Sequence, residues 1–228
     1  IPSEHFNTIL YTGDDQTGKA ISGVGFAPDF LWFKERQGTA HHVLHDSVRG
    51  ASGGRLSSNR TNAEDASTSI ASFDSDGFTV GSSAAYINSN NANIVAWNWK
   101  ANGSGSTNTA GSVNSTVSAN TSAGFSIVGY TATANTHTFG HGLSQAPEFI
   151  YHRMRDVAGG GNCYLAPLGT GKALRMDETT AAGSESGYWP IVNSTLVKPG
   201  GSVSGAIETD YIAYCWHSVD GYSKVGSY

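Results

Sequence analysis

The chain has 228 residues, with 13 Lys and Arg against 18 Asp and Glu and a formal charge of -5 at pH 7. Charged residues make up only 14%, while Gly, Ser, Thr and Asn fill about 40% and aromatics 11%. This balance argues against a helical bundle and a disordered chain, and the acidic pI near 5.9 leaves no basic face for nucleic acid.

In chain order the pattern is of short strands separated by turn residues. Residues 29–34 form an apolar run entered through Ala27-Pro28, where a proline without an N–H fits just before a strand. Residues 41–46 alternate around Val43 and Leu44. Residues 61–69 offer one helical turn, with Thr61 or Asn62 as cap. Residues 70–73 and 78–80 read as a hairpin around Asp76-Gly77. Residues 93–100 put Ile94, Ala96 and Asn98 on one face and Val95, Trp97 and Trp99 on the other. Residues 101–123 are rich in Gly, Ser, Thr and Asn. They read as a linker whose second half is partly ordered by Val113 and Val117.

The second half of the chain echoes the first. Residues 6–36 laid over 125–155 give 9 identities in 31 positions without a gap, including Phe6/Phe125, Tyr11/Tyr130, Pro28/Pro147 and Arg36/Arg155. At a shift of 117, residues 95–99 lie over 212–216, matching Trp99 to Trp216. A third echo, residues 222–228, resembles the start of the second unit. The expected architecture is all-β, an antiparallel jelly roll or β-sandwich built from two sequence-related units of six to eight strands. The expected division is 1–103, a linker over 104–124, a second unit over 125–221, and a first strand of a third unit or closing strand over 222–228.

Several clusters invite a chemical reading. His41, His42 and His45 beside Asp46 could hold a metal or orient a base, but the matching stretch of the second unit, from Asn162, keeps no histidine. Asp74 and Asp76 resemble a fragment of a calcium loop that lacks its further acidic ligands, so the turn reading is preferred. Gly159-Gly160-Gly161 is not followed by the Lys-Ser/Thr of a phosphate cradle. A glycosidase needs two carboxylates flanking a cleft, and isolated ones such as Glu35, Glu64, Glu148 and Glu185 do not fall in the alternating Glu-x-Asp-x-Glu strand pattern of jelly-roll glucanases. Tyr222, Lys224, Gly226 and Tyr228 are similar to one strand of jelly-roll alginate lyases, but the Gln-x-His strand of those enzymes is missing. Cys163 and Cys215 are too few for a disulfide framework. No run of apolar residues is long enough for a membrane helix. Beginning at Ile1 rather than Met, the chain is expected to be a processed or trimmed product.

The five tryptophans, Trp32, Trp97, Trp99, Trp189 and Trp216, lie in or beside the expected strands. One left on an open face would offer a flat apolar plate to the C–H face of a sugar, with Asn, Ser and Thr at its rim.

The repeat residues also resemble a known family. Residues 26–34 (Phe26 to Lys34), Asp46-Ser47-Val48-Arg49-Gly50, Leu56-Ser57-Ser58-Asn59, residues 72–81 and Val95-Ala96-Trp97-Asn98-Trp99-Lys100 are similar to a tandem domain family of tailed bacteriophages, mostly aquatic. It recurs in their structural proteins and is associated with concanavalin-A-like, lectin-type jelly rolls. The resemblance implies a non-enzymatic virion component, a tail fibre or adsorption module or a capsid decoration protein, located on the virion surface or outside the cell. No cofactor is expected, and charge and hydropathy leave no nucleic acid and no membrane among the expected partners. Its expected partners are copies of itself, as a homotrimer, other virion proteins, and a cell-surface glycan. The expected ligand-binding residues are Trp32, His42, His45, Asp46, Arg49, Trp99 and Trp189. No catalytic residue and no metal ligand is expected, Asp74 and Asp76 being the nearest to one. The alternative is a jelly-roll polysaccharide lyase or glycoside hydrolase acting on an extracellular glycan. The second unit departs from the family over 162–186, where the Asp-Ser-Val-Arg-Gly motif is lost.

Overall fold

A computed structural model describes residues 1–82, 84–184, 187–200 and 207–227. Glu185 and Tyr228, weighed above, lie outside the described residues. The protein is all-β with antiparallel sheets in a sandwich-like arrangement, and the described residues contain no α-helix. The chain divides into two compact units, Ile1–Ser104 and Gly105–Tyr228.

The first unit runs β1 (Phe6–Thr12), β2 (Ala20–Ser22), β3 (Phe30–Glu35), β4 (Val43–Asp46), β5 (Leu56–Ser57), β6 (Ile70–Asp74), β7 (Gly77–Val80) and β8 (Asn93–Trp99). One sheet has the order β1-β8-β3-β4-β5 and the other β2-β7-β6. Strand alternation builds the core between them. Leu31 and Phe33 from β3, Ile94 and Ala96 from β8, and Ile9 and Tyr11 from β1 meet Ile21, Ile70, Phe78 and Val80 of the smaller sheet. The Asp76 turn is confirmed as a hairpin, with Asp74 opposite Gly77. Residues 61–69 form no helical turn. Asp65 instead bridges to Arg55 as a strand-like pair.

The second unit runs β9 (Ser106–Asn108), β10 (Ser115–Asn120), β11 (Phe125–Thr131), β12 (Phe139–Gly140), β13 (Phe149–Met154), β14 (Asn162–Leu165), β15 (Lys172–Arg175), β16 (Gly183–Ser184), β17 (Ile191–Val192), β18 (Leu196–Lys198) and β19 (Asp210–Trp216). Its large sheet has the order β16-β15-β14-β13-β19-β11-β10-β9, and its small one β12-β18-β17. Here too the unit's last long strand sits between the two that correspond to β1 and β3. Phe6 and Phe30 flank Trp99, and Phe125 and Phe149 flank Trp216. An acid at the entry to the matching strand clasps the unit's exit in both cases. Asp29 accepts from the Ala101 N–H at 2.6 Å, and Glu148 from the Ser218 N–H at 2.6 Å.

Two expected boundaries change. Residues 104–124 are not a linker: β9 and β10 lie there, and β10 pairs along β11 from Ser115 opposite Tyr130 to Asn120 opposite Phe125. Val113 and Val117 are buried in the core of the second unit. Backbone pairing needs no charged or large side chain, so a Ser/Thr/Asn-rich segment serves as a strand. Residues 222–227 carry no strand, and only an isolated bridge joins Val219 to Ser223.

Candidate functional site: an aromatic sheet face

The large sheet of the first unit turns its second face away from the core just described. Alternation places Phe6, Thr8 and Leu10 of β1 there, with Val95, Trp97 and Trp99 of β8 and Phe30, Trp32 and Lys34 of β3. Register then sorts them into rows. Phe6, Trp99 and Phe30 stand side by side, and Thr8, Trp97 and Trp32 form the next row. The rings touch across the strands. Phe6 and Trp99 have centroids 4.8 Å apart, Phe30 and Trp99 5.2 Å, and Trp32 and Trp97 6.3 Å in an edge-on pair. Cross-strand aromatic pairs of this kind contribute about 0.5–1.5 kcal/mol each.

Phe6, Trp32, Trp97 and Trp99 line an open depression of about 390 Å³. All four remain half-buried, while Phe30 beside them is covered. The Trp32 Nε1 is buried without a hydrogen-bond partner, a donor still lacking an acceptor. Thr8, exposed, and Lys34, whose amine donates to the carbonyls of Glu35 and Gly38, stand near its edge.

The other expected ligand residues do not join this face as an open site. His42 is half-buried, and burial followed by the nearby Lys34 charge lowers its pKa. His45 is 1% exposed, and neither of its ring nitrogens has a partner. Burial holds its pKa down to about 3, so the ring is neutral. It belongs to the interior rather than to a surface site. Asp46 and Arg49 are also interior. Arg49 Nε donates to Asp46 at 2.6 Å, and its other nitrogens donate to the carbonyls of Gly54 at 2.7 Å and Leu44 at 3.0 Å. That geometry ties the 47–54 loop to β4 and leaves the Asp-Ser-Val-Arg-Gly motif structural. Trp189 is fully buried in the second core. Asp74 accepts from Ser72 and Thr79, and Asp76 from the Gly23 and Gly25 N–H groups at 3.0 and 2.6 Å. Among the described residues no group of three His, Cys, Asp or Glu side chains could hold a metal ion.

A family model for a domain of unknown function, DUF7483, matches residues 1–228. The chain belongs to the DUF7483 family. No curated protein and no solved structure matches it.

Within this DUF7483 chain the second unit presents the same rows with a different outcome. Phe125, Trp216 and Phe149 stack at 5.1 and 5.0 Å, and Tyr151 stacks on Tyr214 at 6.2 Å. Phe125, Ile127, Ile212 and Tyr214 are completely buried, as are Tyr151 and Arg153 to within 2%. The open aromatic depression is thus a property of the first unit. Sequence reasoning found Trp32 and Trp99 but left Phe6 and Trp97 out of the site. The period-2 pattern had already put Trp97 beside Trp99, and only the pairing of β1 with β8 adds Phe6.

Proposed function

We propose that the protein is a non-catalytic carbohydrate-binding module of a bacteriophage virion, in a tail fibre, adsorption device or capsid decoration, with a lectin-like, concanavalin-A-type sandwich. One observation carries the binding half of this reading: Phe6, Trp32, Trp97 and Trp99 form an apolar plate on an open sheet face. Indole faces of this kind match the C–H face of a sugar ring, and the exposed Thr8, opposite Trp97, supplies a hydroxyl beside it. The virion half is supported by the motif resemblance in the strands and turns. Homotrimeric self-association and contact with other virion proteins belong to that half.

A glycan array probed with the multivalently displayed chain tests the binding half. Binding to a bacterial surface glycan is expected, and Trp97→Ala should weaken it about tenfold or more, as truncation of a buried aromatic anchor does. An array that stays blank at high valency overturns the reading. Imaging of the particle tests the location, and light scattering tests the trimer. A monomer at high concentration removes the trimer from the proposal.

A further inference from the structure

A second, polar pocket lies at the far edge of the large sheet in the first unit, lined by Arg55, Ser57, Arg60, Asn62, Ala63 and Asp65. Adding 118 to each number gives Ala173, Arg175, Glu178, Thr180, Ala181 and Gly183, and all six line a pocket of the second unit. The offset falls between the 119 of the unit starts and the 117 of their ends. Register agrees, with Ser57 opposite Val43 and Arg175 opposite Asn162. The Arg55–Asp65 bridge likewise matches the pairing of Ala173 with Gly183. The same place in each unit is therefore hollow, with volumes of about 230 and 140 Å³.

The side chains differ while the chemistry is kept. In the first pocket Arg55 pairs with Asp65 at 2.6 Å, and its guanidinium lies 4.9 Å from the ring centre of Tyr86. In the second, Arg175 pairs with Glu178 at 2.6 Å, and Tyr188 completes the wall. The arginine of the second pocket stands at the place of Ser57 rather than Arg55, and its carboxylate at the place of Arg60 rather than Asp65. Ion pairs this exposed contribute about 0–1 kcal/mol, so stability alone gives little reason to keep one at both places. Asn62 and Thr180, at matching positions, add an amide and a hydroxyl.

We propose that these pockets are equivalent sugar subsites, each gripping the vicinal diol of one saccharide ring. A guanidinium offers its N–H donors to adjacent hydroxyls in both pockets, and Glu178 in the second also accepts from them, whereas Asp65 in the first is already filled by the Arg55 guanidinium and by the Arg55 and Ser67 N–H groups. Each volume lies below the roughly 300–1,000 Å³ of a whole-ligand cleft, which fits one ring of a longer chain. The pockets differ in charge. Arg60 stands in the first where Glu178 stands in the second. The first pocket therefore takes a ring that carries a carboxylate, and the second a neutral ring. This inference rests on the carbohydrate-binding reading but uses residues remote in sequence from Trp97 and Trp99.

Amide and indole N–H shifts of the isotopically labelled intact chain test it, with methyl glucoside and methyl glucuronide as probes. The glucoside should shift residues 172–183 more than the glucuronide does, and the glucuronide should shift residues 54–65 more than the glucoside does. Asn62→Ala and Thr180→Ala spare both ion pairs, so the fold should survive. Each should weaken binding at its own pocket about tenfold and leave the other unchanged. If the indoles of Trp32, Trp97 and Trp99 shift while both pockets stay silent, the inference is overturned and the aromatic-face reading stands. If pockets and indoles are all silent, both readings fall. Shifts at the pockets with silent indoles support the inference against the aromatic face.

Discussion

Arg49 and Asp46 have side chains 1% and 0% exposed, and Glu64 approaches the same guanidinium at 3.5 Å. Glu64 also accepts from the Gly54 N–H at 2.7 Å, so four segments meet at one buried cation. Removing one partner of such a pair strands the other in the interior. Arg49→Ala should cost about 3–5 kcal/mol in urea unfolding, and Arg49→Lys should recover little, because an ammonium cannot reproduce the fork. A loss within experimental error would remove the structural role assigned to the motif. The thiols give a second residue-scale expectation. Burial pushes Cys215 up to about 12 and Cys163 higher still. Both are free and buried, so a thiol reagent at neutral pH should label neither until the protein unfolds. Prompt labelling of the folded chain would contradict this burial. Sequence named Asp46 and Arg49 correctly as special residues but assigned them the wrong task. A charged residue in a short motif looks the same whether it faces a ligand or, like Arg49, the Asp46 and Glu64 carboxylates and the Leu44 and Gly54 carbonyls.

Among the elements, the strands with alternating or apolar runs were legible. Residues 29–34, 41–46, 70–80 and 93–100 all became strands or hairpins close to the expected limits. The segment over 104–124 was not, because what holds β10 is backbone pairing to β11, which composition does not encode. The two valines were the visible signal. Val113 and Val117 are 4% and 6% exposed, and full burial of such side chains contributes about 1.5–3 kcal/mol each. Deletion of residues 105–120 should therefore abolish cooperative unfolding of the second unit. A chain that still melts as before would restore the linker reading. The aromatic face was legible by half, since alternation gives the face of each strand but not which strands become neighbours.

Acid should act unevenly over the whole molecule. His45 in the first unit and His152 in the second are held near 3 by burial, against an unfolded value of about 6.5. Below that value the unfolded chain binds protons that the folded one refuses. Stability is thus flat above about pH 6.5 and falls as pH drops toward 3, by up to about 1.4 kcal/mol per pH unit for each ring. The second unit buries its histidines more deeply. Burial lowers His137 and His141 as well, and both are at most 2% exposed, whereas His41 and His42 of the first unit, also lowered by burial, are only partly covered. His152 bonds to the Tyr130 hydroxyl at 2.7 Å, which bonds in turn to His137 at 3.1 Å. Hydrogen exchange near pH 4.5 should open β11, β13 and β19 before β1, β3 and β8. His152→Phe, which installs the residue found at Phe33, should blunt that acid response. Equal exchange in both units would show that the second-unit histidines titrate without strain.

The place of β8 between β1 and β3 has a further consequence, in time rather than in space. Phe6 waits for Trp99, and Phe125 for Trp216, so the strand that joins the two halves of each large sheet is the last strand of its unit to be synthesised. Until it emerges, the flanking strands have open edges and no mutual partner, and folding dominated by such distant pairings is slow. A nascent chain halted before residue 93 should be as sensitive to protease as an unfolded one, and resistance should arrive abruptly once β8 is complete.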